Sequence, residues 1–304
     1  MSDITAFVGA GRMGGPMARN LSRQANALGR RIRVFDKAAA AAEACRDAGA
    51  DVAADLAGCV DQADIVFTMV PAGPDVRALY MSPGGVFDTA PKGALLVDCS
   101  TIDVATAQEV AAEAKARGFR MLDAPVSGGV VGAEAATITF MIGGDAADIE
   151  AVRSQLEAMG SKVVHCGLSG MGSAAKICNN MITGIAAIAV AESYAIGQRL
   201  GLDPKILYDV VSTSSGQTNV GTRNPPVAGI VDTSAANRDF EPGFTIALML
   251  KDMRLSQAAA KQMGQASPIG AAAAEVYALA EGAGLAQKDT SAVYKLIRGV
   301  AEKG

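Results

Sequence analysis

The sequence predicts an α/β protein: a doubly wound, mostly parallel sheet, then an all-helical domain joined to it by a long helix. Three observations support this. Short apolar runs alternate with helical stretches up to about residue 167, the pattern of a parallel sheet wound with helices. Strand signals vanish after Gly172. The segment from Ser173 to Leu200 reads as one long helix.

Strands are expected at 4–9, 31–36, 64–70, 94–98, 119–124, 136–143 and 162–166, with helices near 13–27, 38–48, 103–117 and 145–158 between several of them. Beyond the long helix, further helices are expected at 203–213, 245–263, 268–282 and 289–299. At Gly201-Leu202-Asp203-Pro204 one helix stops and another starts, with Asp203 as N-cap and Pro204 in the first helical position. The expected domains are residues 1–167 and 168–304.

Composition narrows the function classes. Half of the 304 residues are apolar, ample for large cores. A net charge of −4 and a pI near 5.2 leave no electrostatic footprint for nucleic acid or an anionic membrane. Cys45, Cys59, Cys99, Cys166 and Cys178 are scattered, odd in number and form no C-x-x-C. They read as small buried hydrophobes in a reducing compartment, neither a disulfide frame nor a zinc site. The first strand starts by Ile4, which leaves no room for a leader peptide, and the longest apolar segment, Met181 to Ala191, is too short to span a bilayer. A cytoplasmic protein without a metal is expected.

Function first shows at Val8-Gly9-Ala10-Gly11-Arg12-Met13-Gly14. Gly9, Gly11 and Gly14 have G-x-G-x-x-G spacing between a strand and a helix, the Rossmann dinucleotide fingerprint. Gly9 allows the tight turn, Gly11 lets backbone approach a pyrophosphate, and Gly14 brings the helix close to the strand. The helix N-terminus then stabilises phosphate charge. A second strand ends in Asp36, 22 residues after Gly14, near the distance expected of an acid that holds the adenosine ribose.

Ligands of an open parallel sheet sit beyond the carboxyl ends of its strands. Val70-Pro71 and Asp98-Cys99-Ser100-Thr101 follow two of them and could line a cofactor groove, although each alone has the composition of an ordinary loop. Asp123-Ala124-Pro125-Val126-Ser127-Gly128-Gly129 follows another. Its glycines expose N–H groups beside the Ser127 hydroxyl, a nest suited to a carboxylate, or simply a glycine-rich turn. Lys176 and Asn180 stand four apart and so share a helix face among Ala, Ile and Met neighbours. Buried lysine is rare without a reason, the alternative being a solvated helix start. The single histidine, His165, ends a strand and reads as structural or surface. Lysine is then the remaining candidate proton donor.

Four segments together resemble the motif set of the β-hydroxyacid dehydrogenases: Gly9–Ala18, Asp123–Gly129, Gly170–Asn180 and Lys251-Asp252. Met69–Gly73, Val97–Ile102, Ser214-Ser215-Gly216 and Asn224-Pro225 add to the likeness, which covers nearly the whole chain. The resemblance implies an NAD-dependent oxidoreductase of short 3-hydroxy acids, active as a homodimer or homotetramer. It implies Lys176 as catalytic acid/base, Asn180 as substrate-orienting residue, and Ser127 and Gly128 as carboxylate contacts. It also implies Lys251 as a residue closing over the nicotinamide end. Arg12, Met13 and Asp75 are counted with Gly9, Gly11, Gly14, Asp36, Val70, Pro71 and Thr101 as cofactor contacts. Two departures stand out. Asn219 occupies the region where such enzymes often carry Trp, and Ala136 replaces a usual glycine before Thr137-Ile138.

Asp36 generates a first prediction. Its carboxylate repels the 2′-phosphate of NADP, with adjacent Lys37 softening the repulsion. The kcat/KM with NAD is expected to exceed that with NADP by about a hundredfold or more. Steady-state kinetics with both cofactors checks this, and equal values overturn it.

Overall fold

The computed structural model describes residues 3–299, which divide into two compact units, one ending at Lys176 and the other starting at Ile177. In the first, nine strands form one sheet: β1 (Ile4–Val8), β2 (Arg31–Phe35), β3 (Asp51–Val52), β4 (Ile65–Thr68), β5 (Leu95–Asp98), β6 (Arg120–Asp123), β7 (Val126–Ser127), β8 (Ile138–Gly143) and β9 (Gly160–Gly167). Their order is β3-β2-β1-β4-β5-β6-β8-β7, with β9 beside β8. The pairs joining β1 to β6 are parallel; β8 runs antiparallel to β6 and β7, while β9 runs parallel to β8. The chain leaves β1 for β2 on one side and returns through β4 on the other. The crevice at the carboxyl ends of β1 and β4 is therefore the topological switch point.

Alternation along the strands covers both faces. In β1, Phe7 joins one core with Met17, Leu21 and Phe67, whereas Ile4, Ala6 and Val8 join the other with Val66, Tyr80 and Leu96. Both faces being buried is why these strands read as continuous apolar runs. Strands β3 and β7 have two residues each and escaped the sequence reading, since two residues carry no periodicity. Helices at Leu56–Val60, Gly73–Met81, Val86–Thr89, Gly129–Glu134 and Asn219–Arg223 were not expected either, since segments of one to two and a half turns show little helical periodicity.

Several expected helices are interrupted. The first is Gly14–Arg23 with a separate turn at Ala25–Leu28, and 38–48 is a helix at Ala39–Glu43 followed by a 3₁₀ turn. The stretch 145–158 breaks at Val152, and 268–282 ends at Ala280 before an irregular turn in which Gly284 has φ +82°. The last becomes a 3₁₀ turn and Val293–Arg298. Asp203 does cap Pro204–Thr213, accepting from the Lys205 N–H. Ala136 adopts φ +53°, which explains why glycine suits that turn; a side chain there costs about 1 kcal/mol or more.

Met171–Arg199 is one unbroken helix of 29 residues. By length and composition it could cross a bilayer, unlike the shorter apolar segment read from sequence. Its apolarity has a use in the second unit, where Ile188, Ala191, Tyr194 and Ala195 pack with Met249, Met253 and Tyr277 of the helices Ile246–Gln262 and Pro268–Ala280. The Tyr277 hydroxyl donates to the Gly184 carbonyl at 3.0 Å. Asp289 gathers the loops of that unit: Oδ1 accepts from Asn224 Nδ2 at 2.8 Å and Oδ2 from the Gly243 N–H at 3.1 Å. Asn224, part of a motif segment, is thus a latch.

The glycine turn after β1 generates a stability prediction. A Cβ at Gly14 would lie 1.9 Å from the Gly9 carbonyl oxygen, a backbone atom without freedom to move aside. Gly14→Ala is expected to destabilise the protein by about 1–3 kcal/mol or more. Urea unfolding measures it, and an unchanged midpoint contradicts the close packing.

Candidate active site

The first unit builds a dinucleotide platform at the carboxyl ends of its strands. Gly9 has φ +98°, and its N–H donates to the Phe35 carbonyl at 2.8 Å. A Cβ there would lie 2.1 Å from the Met69 carbonyl oxygen, so the loop after β4 lies directly against this turn. Asp36 ties the turn to β2: Oδ2 accepts the Ala10 N–H at 2.7 Å, and Oδ1 accepts that of Ala38 at 2.7 Å. Gly11 differs. A Cβ at Gly11 would meet nothing within 4 Å, and its φ is not in the left-handed region. Packing within the protein does not require glycine there, whereas close approach of a pyrophosphate would. The helix Gly14–Arg23 begins at Met13 without a side-chain cap and with no acid in its first turn, so its first N–H groups suit a phosphate. These residues fit a dinucleotide. Arg12 and Pro71 are exposed, Met13, Val70 and Thr101 are half-buried, and Asp75 lies exposed in the first turn of Gly73–Met81.

Two buried carboxylates at neighbouring strand ends organise the platform. Asp98 and Asp123 are register partners in β5 and β6. Asp98 Oδ1 accepts from the Thr68 and Ser100 hydroxyls, each at 2.7 Å. Asp123 Oδ1 accepts the Gly170 N–H at 2.7 Å and Oδ2 the Ser173 N–H at 2.8 Å. A carboxylate thus caps the start of Met171–Arg199, where it complements the helix dipole. Gly172 permits this fit, since a Cβ there would lie 2.6 Å from the Asp123 carbonyl oxygen. Burial pushes the Asp123 carboxyl above its ordinary range, against the pull of the Gly170 and Ser173 hydrogen bonds. Three residues beyond Ser173 on this helix stands Lys176, only 8% exposed. That removes the solvated-surface reading of the lysine.

Ser127 is half-buried in β7, opposite Thr139 of β8. Gly128 (φ +142°) and Gly129 (φ +65°) turn the chain sharply into the helix Gly129–Glu134. His165 is exposed, its Nε2 lying 3.0 Å from the carbonyls of Gly144 and Gly167. Among the described residues no group of three or more His, Cys, Asp or Glu could hold a metal ion.

The second unit brings Asn180 and Lys251 together through a residue that sequence reasoning left out of the site. Asp252, which beside Lys251 has the sequence context of a polar helix face, is 1% exposed. Its Oδ2 accepts from Asn180 Nδ2 at 2.6 Å, and its Oδ1 lies 3.3 Å from Lys251 Nζ. Asn180 is itself buried, and its Oδ1 accepts from Asn179 Nδ2 at 3.1 Å. The clue was an acid among Met249, Leu250 and Met253, at helical spacing from the core. Asn219 opens the helix Asn219–Arg223 as an exposed residue.

A doubly wound sheet with a glycine turn at its switch point defines a dinucleotide-dependent oxidoreductase fold. Residues 4–167 match the NAD binding domain of 6-phosphogluconate dehydrogenase, and residues 170–297 match the NAD-binding domain of NADP-dependent 3-hydroxyisobutyrate dehydrogenase. The chain is 43% identical over 297 residues to a probable 3-hydroxyisobutyrate dehydrogenase of Mycobacterium bovis, covering 98% of each chain. It is 40% identical to an NAD-dependent L-serine dehydrogenase of Pseudomonas aeruginosa, covering 96% of each. Among solved structures, a Mycobacterium tuberculosis 3-hydroxyisobutyrate dehydrogenase with L-serine superposes with a TM-score of 0.89 at 42% identity, covering 98% of this chain and all of that one. The chain belongs to the 3-hydroxyisobutyrate dehydrogenase family of β-hydroxyacid dehydrogenases, and is an NAD-binding oxidoreductase.

Asp98 generates a pH prediction. Burial pushes its carboxyl up from 3.8 to about 6, with the Thr68 and Ser100 hydrogen bonds acting the other way. Between these values the unfolded chain has released a proton that the folded chain keeps. The stability contributed by Asp98 is therefore present at acid pH and lost as pH rises through about 6, at no more than about 1.4 kcal/mol per pH unit. Asp98→Asn is expected to remove that slope. Urea unfolding of both proteins from about pH 4 to 7 tests it, and identical pH dependence contradicts it.

Proposed function

We propose that this chain is an NAD-dependent dehydrogenase of short 3-hydroxy carboxylic acids, with 3-hydroxyisobutyrate, oxidised to methylmalonate semialdehyde, as first substrate. The observation that carries the reading is a buried lysine four residues before a buried asparagine on one unbroken helix. A binding module without catalysis has no use for such a proton donor. Bound NAD would supply the hydride acceptor for the hydroxyl-bearing carbon. Lys176 takes the hydroxyl proton during oxidation and returns it during reduction. Asn180 spends one amide hydrogen on Asp252 and keeps the other for the substrate oxygen. The Ser127 hydroxyl and the Gly128 N–H hold the carboxylate, and Lys251 covers the nicotinamide end. Gly9, Gly11, Arg12, Met13, Gly14, Asp36, Val70, Pro71, Asp75 and Thr101 hold the rest of the cofactor. In this reading residues 1–167 serve the cofactor, and 168–304 serve substrate and oligomerisation.

L-serine is the second reading. The similar enzymes include an L-serine dehydrogenase, and Asn219, a small amide, occupies the region of an aromatic wall. That favours a polar substituent at C2 over a strictly methyl-selective pocket. Tartronate semialdehyde, threonate and sulfonated analogues share the same 3-hydroxy acid chemistry.

The proposal extends to a homodimer or homotetramer, because Ile182, Ile196, Leu200, Ile206 and Val210 of the second unit are all exposed, apolar surface that association covers. The proposal also extends to cytoplasmic residence, in keeping with five free thiols; Cys45, Cys59 and Cys99 are buried, but Cys166 is half-buried and Cys178 exposed, so the expectation of buried cysteines holds for three of the five.

Lys176→Ala is expected to lower kcat for 3-hydroxyisobutyrate and for L-serine by about 10²–10⁴. NADH affinity should stay near that of the unmodified protein. Nicotinamide absorbance with a panel of hydroxyacids, beside NADH fluorescence titration, tests both. Retained turnover shows that another group moves the proton, and lost NADH binding makes the lysine structural.

A further inference from the structure

The backbone ladder stops one residue short of the cofactor loop, and a side-chain relay takes over. The Met69 N–H donates to the Val8 carbonyl at 2.9 Å, and the Cys99 N–H donates to that of Thr68 at 2.8 Å. The next N–H along the chain from Met69, that of Val70, goes instead to Ser100 Oγ at 2.9 Å. Ser100 Oγ in turn donates to Asp98 Oδ1 at 2.7 Å. The same oxygen accepts from Thr68 Oγ1, so the Thr68 hydroxyl, its proton committed, accepts from the Tyr80 hydroxyl at 2.8 Å. Asp98, Ser100, Thr68 and Tyr80 are all buried, with 2%, 1%, 0% and 0% exposure. One carboxylate oxygen thereby joins the ends of β4 and β5 to the helix Gly73–Met81.

The loop fixed in this way has little room to drift. Its Met69 carbonyl sits where a Cβ on Gly9 would collide, so a shift at Val70 moves the contact with the dinucleotide turn. We infer that Asp98 and Ser100 are positioning residues for the cofactor, acting through the Val70 N–H to hold the Met69–Pro71 backbone against the glycine turn. Neither side chain needs to touch the dinucleotide. The inference rests on the assignment of the Val70–Pro71 loop to the cofactor. It adds that the affinity of this loop is set by a buried acid and a serine behind it. Ser100 both receives the Val70 N–H and donates to Asp98, so alanine at 100 breaks the relay at its centre. Asparagine at 98 keeps an oxygen acceptor for both hydroxyls and leaves the relay intact.

The test uses the full chain, with NADH as probe, fluorescence titration for Kd and thermal unfolding without cofactor for stability. Ser100→Ala leaves the Val70 N–H without its acceptor and is expected to raise the NADH Kd about tenfold. Asp98→Asn is expected to stay within about threefold of the unmodified protein, since the acceptor survives. Adding Asp98→Ala to Ser100→Ala should cost no further affinity if the acid acts through the serine. A Ser100→Ala protein with a lowered melting temperature but unchanged NADH Kd overturns the inference, because a merely structural role behaves so. Gly11→Val, which fills the open space over the glycine turn, is the control. If it abolishes NADH binding while Ser100→Ala does not, the relay is wrong and the cofactor reading stands. If Gly11→Val binds NADH normally, the cofactor reading of this loop fails and takes the inference with it.

Discussion

Every part of the cofactor platform depends on the close approach of three backbone segments at Gly9, Gly14 and Met69. A Cβ at Gly9 would collide with the Met69 carbonyl, and one at Gly14 with the Gly9 carbonyl. The absence of both lets the first helix start directly over the carboxyl ends of β1 and β4. Asp36 closes the turn from the β2 side through two backbone N–H groups. A residue larger than glycine at either position would separate the helix from the strand. Its uncapped N–H groups would then no longer point where the strand order reverses.

Buried acids hold three of the candidate site segments. Asp98 steadies the loop after β4, Asp123 caps the helix that carries Lys176, and Asp252 grips Asn180 and lies against Lys251. Burying a carboxylate is unfavourable, and the raised carboxyls of Asp98 and Asp123 record it. Hydrogen bonds from hydroxyls and backbone N–H groups offset much of that cost and convert it into directional restraint. Apolar residues could fill the same volumes, but they could not fix the direction of an N–H or an amide. The register pairing of Asp98 with Asp123 gives the loop after β4 and the helix that carries Lys176 one common anchor in the sheet.

The two departures from the family pattern differ in weight. Ala136 stands in left-handed backbone and bears a local strain at the turn into β8, which still pairs with β7. Asn219 changes the chemistry of an exposed helix start without altering the fold, since Thr218 caps that helix through its own hydroxyl. The residue at this position can therefore vary with little effect on stability.

The sequence alone determined the doubly wound sheet, the long helix and the helical second half. Periodicity, the glycine spacing and the Asp203-Pro204 start are local, and local patterns follow from steric and hydrogen-bonding rules within a few residues. It also singled out Lys176 and Asn180, polar residues on an apolar helix face, and Asp36, an acid at a strand end 22 residues after the last glycine of the turn. Two-residue strands, the break at Val152 and the 3₁₀ turns were beyond it, because contacts from distant segments decide them. The roles of Asp98, Asp123 and Asp252 were also beyond it. Each acid reads as an ordinary strand end or polar helix face until the fold closes over it. Burial then removes water as an alternative partner, and hydrogen bonds from Thr68, Ser100, Gly170, Ser173 and Asn180 take its place on those carboxylates.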